Sequence, residues 1–191
     1  MIMLTGNEHF TYDGMPIGVL LNDFWSWSSS DLLNNTLRGA LAEFIIGSAL
    51  GIDFSTCRRD WESFDLLSPS GYRIEVKSSA YLQSWEQSKL SRIQFSIRPS
   101  RSWTSDSGYS DTIVRQSDIY VFCLFACKEK SSSNPLDLTQ WEFYILPTKV
   151  LDDACGDQVS ITLSSLIKLN PIKSNYGELA NKIEEVYKNG S

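Results

Sequence analysis

A short stretch of the chain carries charged residues of types and spacing that could bind a divalent metal ion. In residues 72–78, Ile74 and Val76 alternate with charged residues, which predicts a strand with one apolar and one charged face. Glu75 and Lys77 therefore share a face. On its own, such a charged face is also typical of a solvated sheet surface.

The preceding segment places another carboxylate next to this strand. Residues 59–67 have a strand-like pattern in which Asp65 lies between two apolar residues, and residues 68–71 have the composition of a tight turn. The resulting hairpin would bring Asp65 beside Glu75. Two carboxylates held close together repel each other unless a cation or a proton lies between them. Oxygen ligands of this kind suit Mg²⁺ or Mn²⁺ rather than zinc.

Glu43 interrupts an apolar run in the most clearly patterned helix of the chain. This helix is predicted to begin after an N-cap at Ser30 and to end at Gly51. A carboxylate on a buried helix face costs free energy unless it is paired or binds a metal. Pairing with Arg38 or another arginine, or simple exposure, are the alternatives to a metal-binding role.

Together these positions resemble the PD-(D/E)xK (restriction-endonuclease-like) nuclease superfamily. Its pattern is a helix Glu, then an Asp at the end of a strand, then Glu/Asp-x-Lys on the next strand. The matching positions here, in the same order, are Glu43, Asp65 and Glu75-Val76-Lys77. Phe64 stands where the family usually has proline. The resemblance covers roughly residues 33–97.

The resemblance implies a metal-dependent nuclease that hydrolyses phosphodiester bonds of nucleic acid, DNA in particular, in restriction, phage defence or repair. The implied cofactor is Mg²⁺ (or Mn²⁺), and the implied ligands are Asp65, Glu75, Glu43 and the backbone carbonyl of Val76. Such an ion lowers the pKa of a bound water and neutralises charge on the phosphate. Lys77 would orient or deprotonate the water, or stabilise the transition state.

A glutamine shortly after the lysine occurs in several branches of this superfamily, near the metal or the phosphate. Gln83 is the candidate for this catalytic position here, with Gln87 as the second choice.

The charge distribution bears on where nucleic acid would bind. The net charge is −6, yet residues 58–115 carry nine Lys/Arg against seven Asp/Glu and include seven of the eight arginines. Arginine suits bidentate contacts with phosphate. The candidate phosphate contacts are Arg58, Arg59, Arg92, Arg98 and Arg101, and the alternative is an ordinary solvated mixture of charges.

The predicted elements give an α/β (α+β) fold with a mixed central β-sheet flanked by helices, a restriction-endonuclease-like core according to the resemblance. After the first helix, strands are predicted at 59–67, 72–78, 92–97, 118–127 and 141–147. Residues 80–90 form a short helix or an extended crossing, and the Ser-rich residues 100–117 form a loop. The C-terminal part is predicted to hold a helix at 149–154 capped by Thr148, a strand at 159–163 and a helix at 177–188.

A single domain over residues 1–191 is expected, with the motif-bearing core at about 31–147 and a C-terminal decoration at 148–191. Residues 1–30 are predicted to be irregular or to form a short strand or hairpin. In the first helix, the apolar stripe of Leu37, Leu41, Phe44 and Ile45 is expected to pack on the sheet.

Several classes of protein are disfavoured by composition. His9 is the only histidine, which argues against catalytic triads and paired-His metal sites. The four cysteines show no paired spacing and are expected to be free thiols. The apolar runs are too short to span a bilayer, and no signal peptide is evident at the N-terminus, so a cytoplasmic location is expected.

Two alternatives to the nuclease remain at this point. One is a catalytically silent nuclease-like module that binds nucleic acid or a partner protein, and the other is an unrelated α+β protein whose charges coincide by chance. Because a chain of this size has little room for a separate recognition domain, a homodimer or a partner protein that supplies specificity is also expected.

Overall fold

A computed structural model of the chain describes residues 3–58, 63–104 and 108–190, with the backbone alone at residues 102–104 and 108–111. Its strands are β1 His9–Tyr12, β2 Met15–Leu20, β3 Leu66–Leu67, β4 Arg73–Ala80, β5 Gln94–Ser96, β6 Ser100–Thr104, β7 Gly108–Val114, β8 Ile119–Phe125, β9 Trp141–Pro147, β10 Ser160–Thr162 and β11 Ile172–Ser174. Its α-helices are α1 Leu21–Ser29, α2 Asn35–Ala49, α3 Thr148–Cys155, α4 Leu163–Ile167 and α5 Leu179–Gly190. Short 3₁₀ turns lie at Lys130–Ser132, Leu138–Gln140 and Tyr176–Glu178.

Five of the described strands form a mixed central sheet in the order β11-β9-β8-β4-β3. β4 and β8 run parallel, and the other neighbours are antiparallel. All seven residues of β8 are buried, because this strand lies in the middle of the sheet and is covered on both faces. The predicted fold class, a mixed central sheet flanked by helices, is confirmed.

Each face of the sheet carries its own apolar core. On one face, Ile74, Val76 and Cys123 pack with residues of α2 and α5. On the other face, Tyr120 and Phe122 pack with residues of β5, β10, α3 and α4. The alternation along β4 and β8 therefore assigns successive residues to different cores, and it places Glu75 and Lys77 on the β5 side.

The helix α2 begins four residues later than predicted. The side chain of Asn34, rather than that of Ser30, accepts the Thr36 and Leu37 N–H groups, so Asn34 is the N-cap. The predicted end of the helix is confirmed. Gly51 lies just beyond the C-cap with a φ of +67°, a conformation that favours glycine.

The predicted apolar stripe of α2 is wrong at one position. Ile45 is buried, and Leu37 and Leu41 are half-buried, but the Phe44 side chain is 54% exposed. Its ring stacks on the ring of Phe54, with the ring centroids 4.6 Å apart. The residues of α2 that pack tightly on the sheet are instead Ala42, Ile45 and Ile46.

The Ser-rich segment forms a hairpin of β6 and β7 rather than the predicted loop. Aromatic and β-branched residues are placed between its serines, and their strand propensity outweighs the polar composition. These residues are Trp103, Thr104, Tyr109, Thr112, Ile113 and Val114. Residues 81–90 contain no helix, which leaves the extended crossing as the correct alternative.

Other boundaries differ from the prediction by a few residues. The first predicted strand shortens to β3, and residues 59–62 of that prediction lie outside the described residues. Thr148 does not cap α3: it is the first helical residue, after Pro147, and no hydrogen-bond partner for its hydroxyl is found among the described residues. The predicted N-terminal hairpin is present as β1 and β2, whereas α1, α4 and β11 were not predicted.

The C-terminal segment contributes to both cores. α5 buries Leu179, Ile183 and Val186 on the α2 side of the sheet, and α3 and α4 bury Leu151 and Leu166 on the other side. Among the described helices, none combines the length and apolar character needed to cross a bilayer.

A pair of substitutions on α2 tests its orientation. Ile46 is fully buried, so Ile46→Ala should lower the free energy of unfolding by about 2–5 kcal/mol. Phe44→Ala should cost less than about 1.5 kcal/mol, because only its stacking on Phe54 is lost. Chemical denaturation of both variants makes the comparison, and an equal loss would mean that the helix faces the sheet differently.

Candidate active site

Hydrogen bonds to the backbone of β4 hold Asp65 in place. Its N–H donates to the Ile74 carbonyl at 3.1 Å, and its Oδ2 accepts the Val76 N–H at 2.7 Å. β3 pairs with β4 through Leu66 opposite Ile74, so Asp65 continues this register by one residue. The predicted hairpin thus places the Asp65 carboxylate beside the segment that carries Glu75.

Glu75 and Lys77 lie one residue apart on the same face of β4. The Lys77 Nζ donates to Glu75 Oε1, and both side chains are about a fifth to a quarter exposed, at 19% and 25%. Tyr120 of β8 is the register neighbour of Glu75, and burial followed by the Glu75 charge raises the pKa of its phenol well above the usual range. Glu75 and Lys77 therefore approach the site from the β5 side of the sheet.

Glu43 approaches from the opposite face. It is 9% exposed on α2, and its carboxylate accepts two hydrogen bonds from Arg58, at 2.6 Å from Nε and 2.7 Å from Nη2. Glu43 thus forms an ion pair with an arginine, and the partner is Arg58 rather than Arg38. Burial, and then the charges of Asp65 and Glu43, raise the pKa of the Cys123 thiol.

The surrounding charges shift the pKa of Asp65. It rises from an ordinary 3.8 to about 6, first because the carboxyl is buried and then because Glu75 repels its negative charge. Lys77 and the Val76 N–H oppose this rise, and Glu43 adds to it. The structure therefore brings Glu43, Asp65, Glu75 and Lys77 into one electrostatic cluster at the β3 edge of the sheet.

The hydrogen bonds described for Gln83 involve residues outside this cluster. It is buried beyond the end of β4, where its Nε2 donates to the Ala80 carbonyl and its Oε1 accepts from Arg38 Nη1 at 3.5 Å. Arg38 also donates to Ser78 Oγ at 3.3 Å. The contacts described for Gln83 thus join it to the start of α2, and Gln87 binds its backbone N–H.

The oxygen donors of the site are of the type that Mg²⁺ binds. Asp65 is buried next to a second carboxylate, and a cation would neutralise the repulsion that raises its pKa. In the described part of the chain, no three Asp, Glu, His or Cys side chains are arranged as a ready set of metal ligands. In this arrangement Glu43 binds Arg58 and Glu75 binds Lys77. The donor chemistry therefore fits the metal, and its binding would require these ion pairs to rearrange.

A cleft of about 680 Å³ opens over Glu43 and Asp65. Arg58, whose side chain is 49% exposed, also lines it. The rest of the cleft is mostly apolar, and its walls include Phe44, Phe54, Phe64, Ile52, Leu66 and Leu67. A ligand in this cleft would meet carboxylates and a guanidinium at one part and aromatic rings at another.

The candidate arginines that the structure describes fall into two groups, one paired and one exposed. Arg58 binds Glu43, and Arg59 lies outside the described residues. Arg92, Arg98 and Arg101 are exposed, and no ion pair joins them to any described residue. Arg92 and Arg98 flank the buried Ile93, Phe95 and Ile97, so the alternation of this segment turns both arginines outward.

Comparison with known proteins assigns the chain to a class. Residues 23–162 match the sequence model of a family described as bacteriophage T4 endonuclease IV, and all of the candidate site residues lie inside this range. The chain is thus a nuclease, an enzyme that acts on nucleic acid. Because the match spans more than half of its length, the chain belongs to the bacteriophage T4 endonuclease IV family. No curated protein matches it significantly.

The raised pKa of Asp65 predicts how the stability of the metal-free protein depends on pH. Between its unfolded pKa near 3.8 and its folded pKa of about 6, the folded protein binds more protons at Asp65 than the unfolded chain does. This group therefore makes stability fall as the pH rises through that interval. Asp65→Asn, which cannot ionise, should flatten the fall when denaturation midpoints are measured at pH 4, 5 and 6.5 in EDTA.

Asp53→Asn is the matched control, because Asp53 lines the same cleft. Hydrogen bonds from Ser55 lower the pKa of Asp53, so its ionised form stabilises the fold as the pH rises. Its replacement should not flatten the pH dependence. Parallel pH profiles for wild type and Asp65→Asn would show that Asp65 is not buried beside a second charge.

Proposed function

We propose that the protein is a PD-(D/E)xK-type nuclease that hydrolyses a phosphodiester bond of DNA with the help of Mg²⁺ or Mn²⁺. The observation that carries the proposal is the contact of Asp65 with the backbone of the strand that bears Glu75 and Lys77, in a cleft that Glu43 of α2 also lines. This is the combination of elements and residue types that the sequence resemblance implies. Family membership supports the reaction on nucleic acid.

In this proposal, the residues of the site have different roles. Asp65 and Glu75, with the Val76 carbonyl and Glu43, would hold the ion, which neutralises charge on the phosphate and generates a water of lowered pKa. Asp65 is ionised above its pKa of about 6, so it is available as a ligand at neutral pH. Its bond from the Val76 N–H fixes the direction in which its carboxylate points.

Lys77 is the residue that touches the reacting atoms without binding the metal. Its ammonium group is held by the ion pair with Glu75, and its charge lowers the pKa of Asp65. From this position it can orient the attacking water or stabilise the negative charge that develops on the phosphate. An ion bound by Glu75 would weaken this ion pair and release the ammonium group toward the substrate.

Replacement of Lys77 tests the catalytic proposal. Lys77→Ala should lower the cleavage rate of DNA in Mg²⁺ by about two to four orders of magnitude, because a positioned charged group is lost. Binding of Mn²⁺, followed by electron paramagnetic resonance, should persist in the variant because the carboxylates remain. Thermal melting curves of wild type and variant check that both fold.

Lys188→Ala is the matched control for this experiment. Lys188 is exposed on α5, on the far face of the sheet from Glu75 and Lys77, and forms a surface ion pair with Glu184. Its loss should leave cleavage unchanged. Equal rates for Lys77→Ala and Lys188→Ala would exclude Lys77 as a catalytic residue, and failure of the wild type to cleave DNA in either metal would favour a catalytically silent binding module.

The exposed arginines should bind the phosphate backbone of the substrate. Each phosphate contact contributes about 0.7 to 0.9 to the slope of log affinity against log salt concentration. In the non-cleaving Lys77→Ala background, Arg92→Gln, Arg98→Gln and Arg101→Gln should therefore each weaken DNA binding and reduce this slope. Fluorescence anisotropy at several salt concentrations measures both, with Lys188→Gln as the control for loss of one positive charge. Slopes that match the control would place the DNA elsewhere.

A further inference from the structure

We propose that the phenylalanine-lined part of the cleft binds one nucleobase of the substrate, stacked on the ring of Phe44 next to the phosphate that is cleaved. This inference rests on the proposed function for the position of that phosphate. It names a binding site for a flat aromatic ligand and a residue that determines how the substrate is held.

The rings of Phe44 and Phe54 are stacked on each other, and the shape of α2 allows this contact. The two rings are nearly parallel, at 29°, with the centroids 4.6 Å apart. Phe54 can reach this position because Gly47 of α2 has no side chain: a Cβ there would lie 2.6 Å from the Phe54 ring. Gly47 is itself buried, so the helix has a recess into which the Phe54 ring fits.

The residues that the structure describes do not fully cover the Phe44 ring. Its side chain is 54% exposed although it belongs to the helix that supplies the core residues Ala42, Ile45 and Ile46. A large exposed aromatic ring beside a cleft is typical of a surface that binds a ligand. Phe44 directly follows Glu43 in the sequence, so its ring and the Glu43 carboxylate enter the cleft from neighbouring positions of the same helix.

The chemistry of the cleft matches that of a nucleotide. A nucleotide joins an anionic phosphate to a flat base with two apolar faces, and the cleft joins the half-exposed guanidinium of Arg58 to aromatic walls. Its volume of about 680 Å³ lies in the range of small-molecule sites. Aromatic side chains that stack on bases are a general means by which proteins hold nucleic acid.

The base would reach the cleft in one of two ways, since only a base outside a duplex stack exposes its face to a protein ring. It comes from a single strand, or it is turned out of a duplex. Both sources present the same ligand to Phe44. Oligonucleotides that carry 2-aminopurine, a fluorescent base whose emission changes on stacking, distinguish them when they are used single-stranded and in duplex form.

The experiment uses the full chain with Lys77→Ala, in EDTA, so that binding is read without metal and without cleavage. Moving the 2-aminopurine along the oligonucleotide should show a strong change of emission at one position. Adding Phe44→Ala should abolish that change and weaken binding by about 5- to 150-fold, the effect of losing one base–aromatic stack. Phe44→Trp should preserve both, and Phe44→Leu, which is apolar but not aromatic, should not.

Phe24→Ala is the matched control, because Phe24 is also a phenylalanine on a helix, is 45% exposed and lies near another aromatic ring. It should change neither emission nor affinity. The proposal is overturned if Phe44→Ala binds with unchanged affinity and emission while its denaturation curve stays cooperative. Because no metal or turnover is involved, this result is independent of the test on Lys77, so the two proposals can fail separately.

Discussion

The hydrogen bond between the Val76 N–H and the Asp65 carboxylate is the contact on which the site depends. β3 pairs with β4 over only two residues, and the hydrogen bond from the Asp65 N–H to the Ile74 carbonyl is the last backbone contact before the chain leaves β4. The Asp65 side chain adds a second contact by accepting the Val76 N–H group of β4. One interaction thus ends the strand pairing, satisfies a backbone donor and aims a carboxylate at Glu75. The cost is a buried negative charge, visible in the raised pKa of Asp65.

The other charged residues of the site differ from Asp65 because each of them has an ion-pair partner. Glu43 is balanced by Arg58 and Glu75 by Lys77, whereas Asp65 has no ion pair with a described residue. Three carboxylates and two cations therefore leave the cluster with one uncompensated negative charge. Both ion pairs are formed with flexible, partly exposed cations, which can move to a phosphate when substrate arrives. The protein can then exchange internal partners for metal and substrate without changing its sheet.

Much of this site was predictable because charges that interrupt an apolar pattern are visible in the sequence. Glu43 in an apolar helix and Glu75-Val76-Lys77 in an alternating strand are such positions, and the turn after Leu67 placed Asp65 next to them. The pairing of Glu43 with Arg58 was not predictable, because the arginine lies in a segment without helical or strand periodicity. The prediction for Phe44 was wrong for a different reason. An apolar residue at core spacing is predicted to be buried in the core, whether the helix buries it or exposes it to a cleft. Gln83 matched only by its distance from Lys77, and distance along the chain does not fix where a non-repetitive segment turns.

The N-terminal hairpin has a consequence for the dynamics of the molecule. β1 and β2 bury none of their side chains, and neither does the helix α1 that follows them. The hairpin also precedes the range that matches the family. Because opening it exposes almost no apolar surface, its amide protons should exchange with solvent through local fluctuations, long before those of the fully covered β8. Two strands of the same chain would then report two different free energies of opening, one local and one close to that of global unfolding.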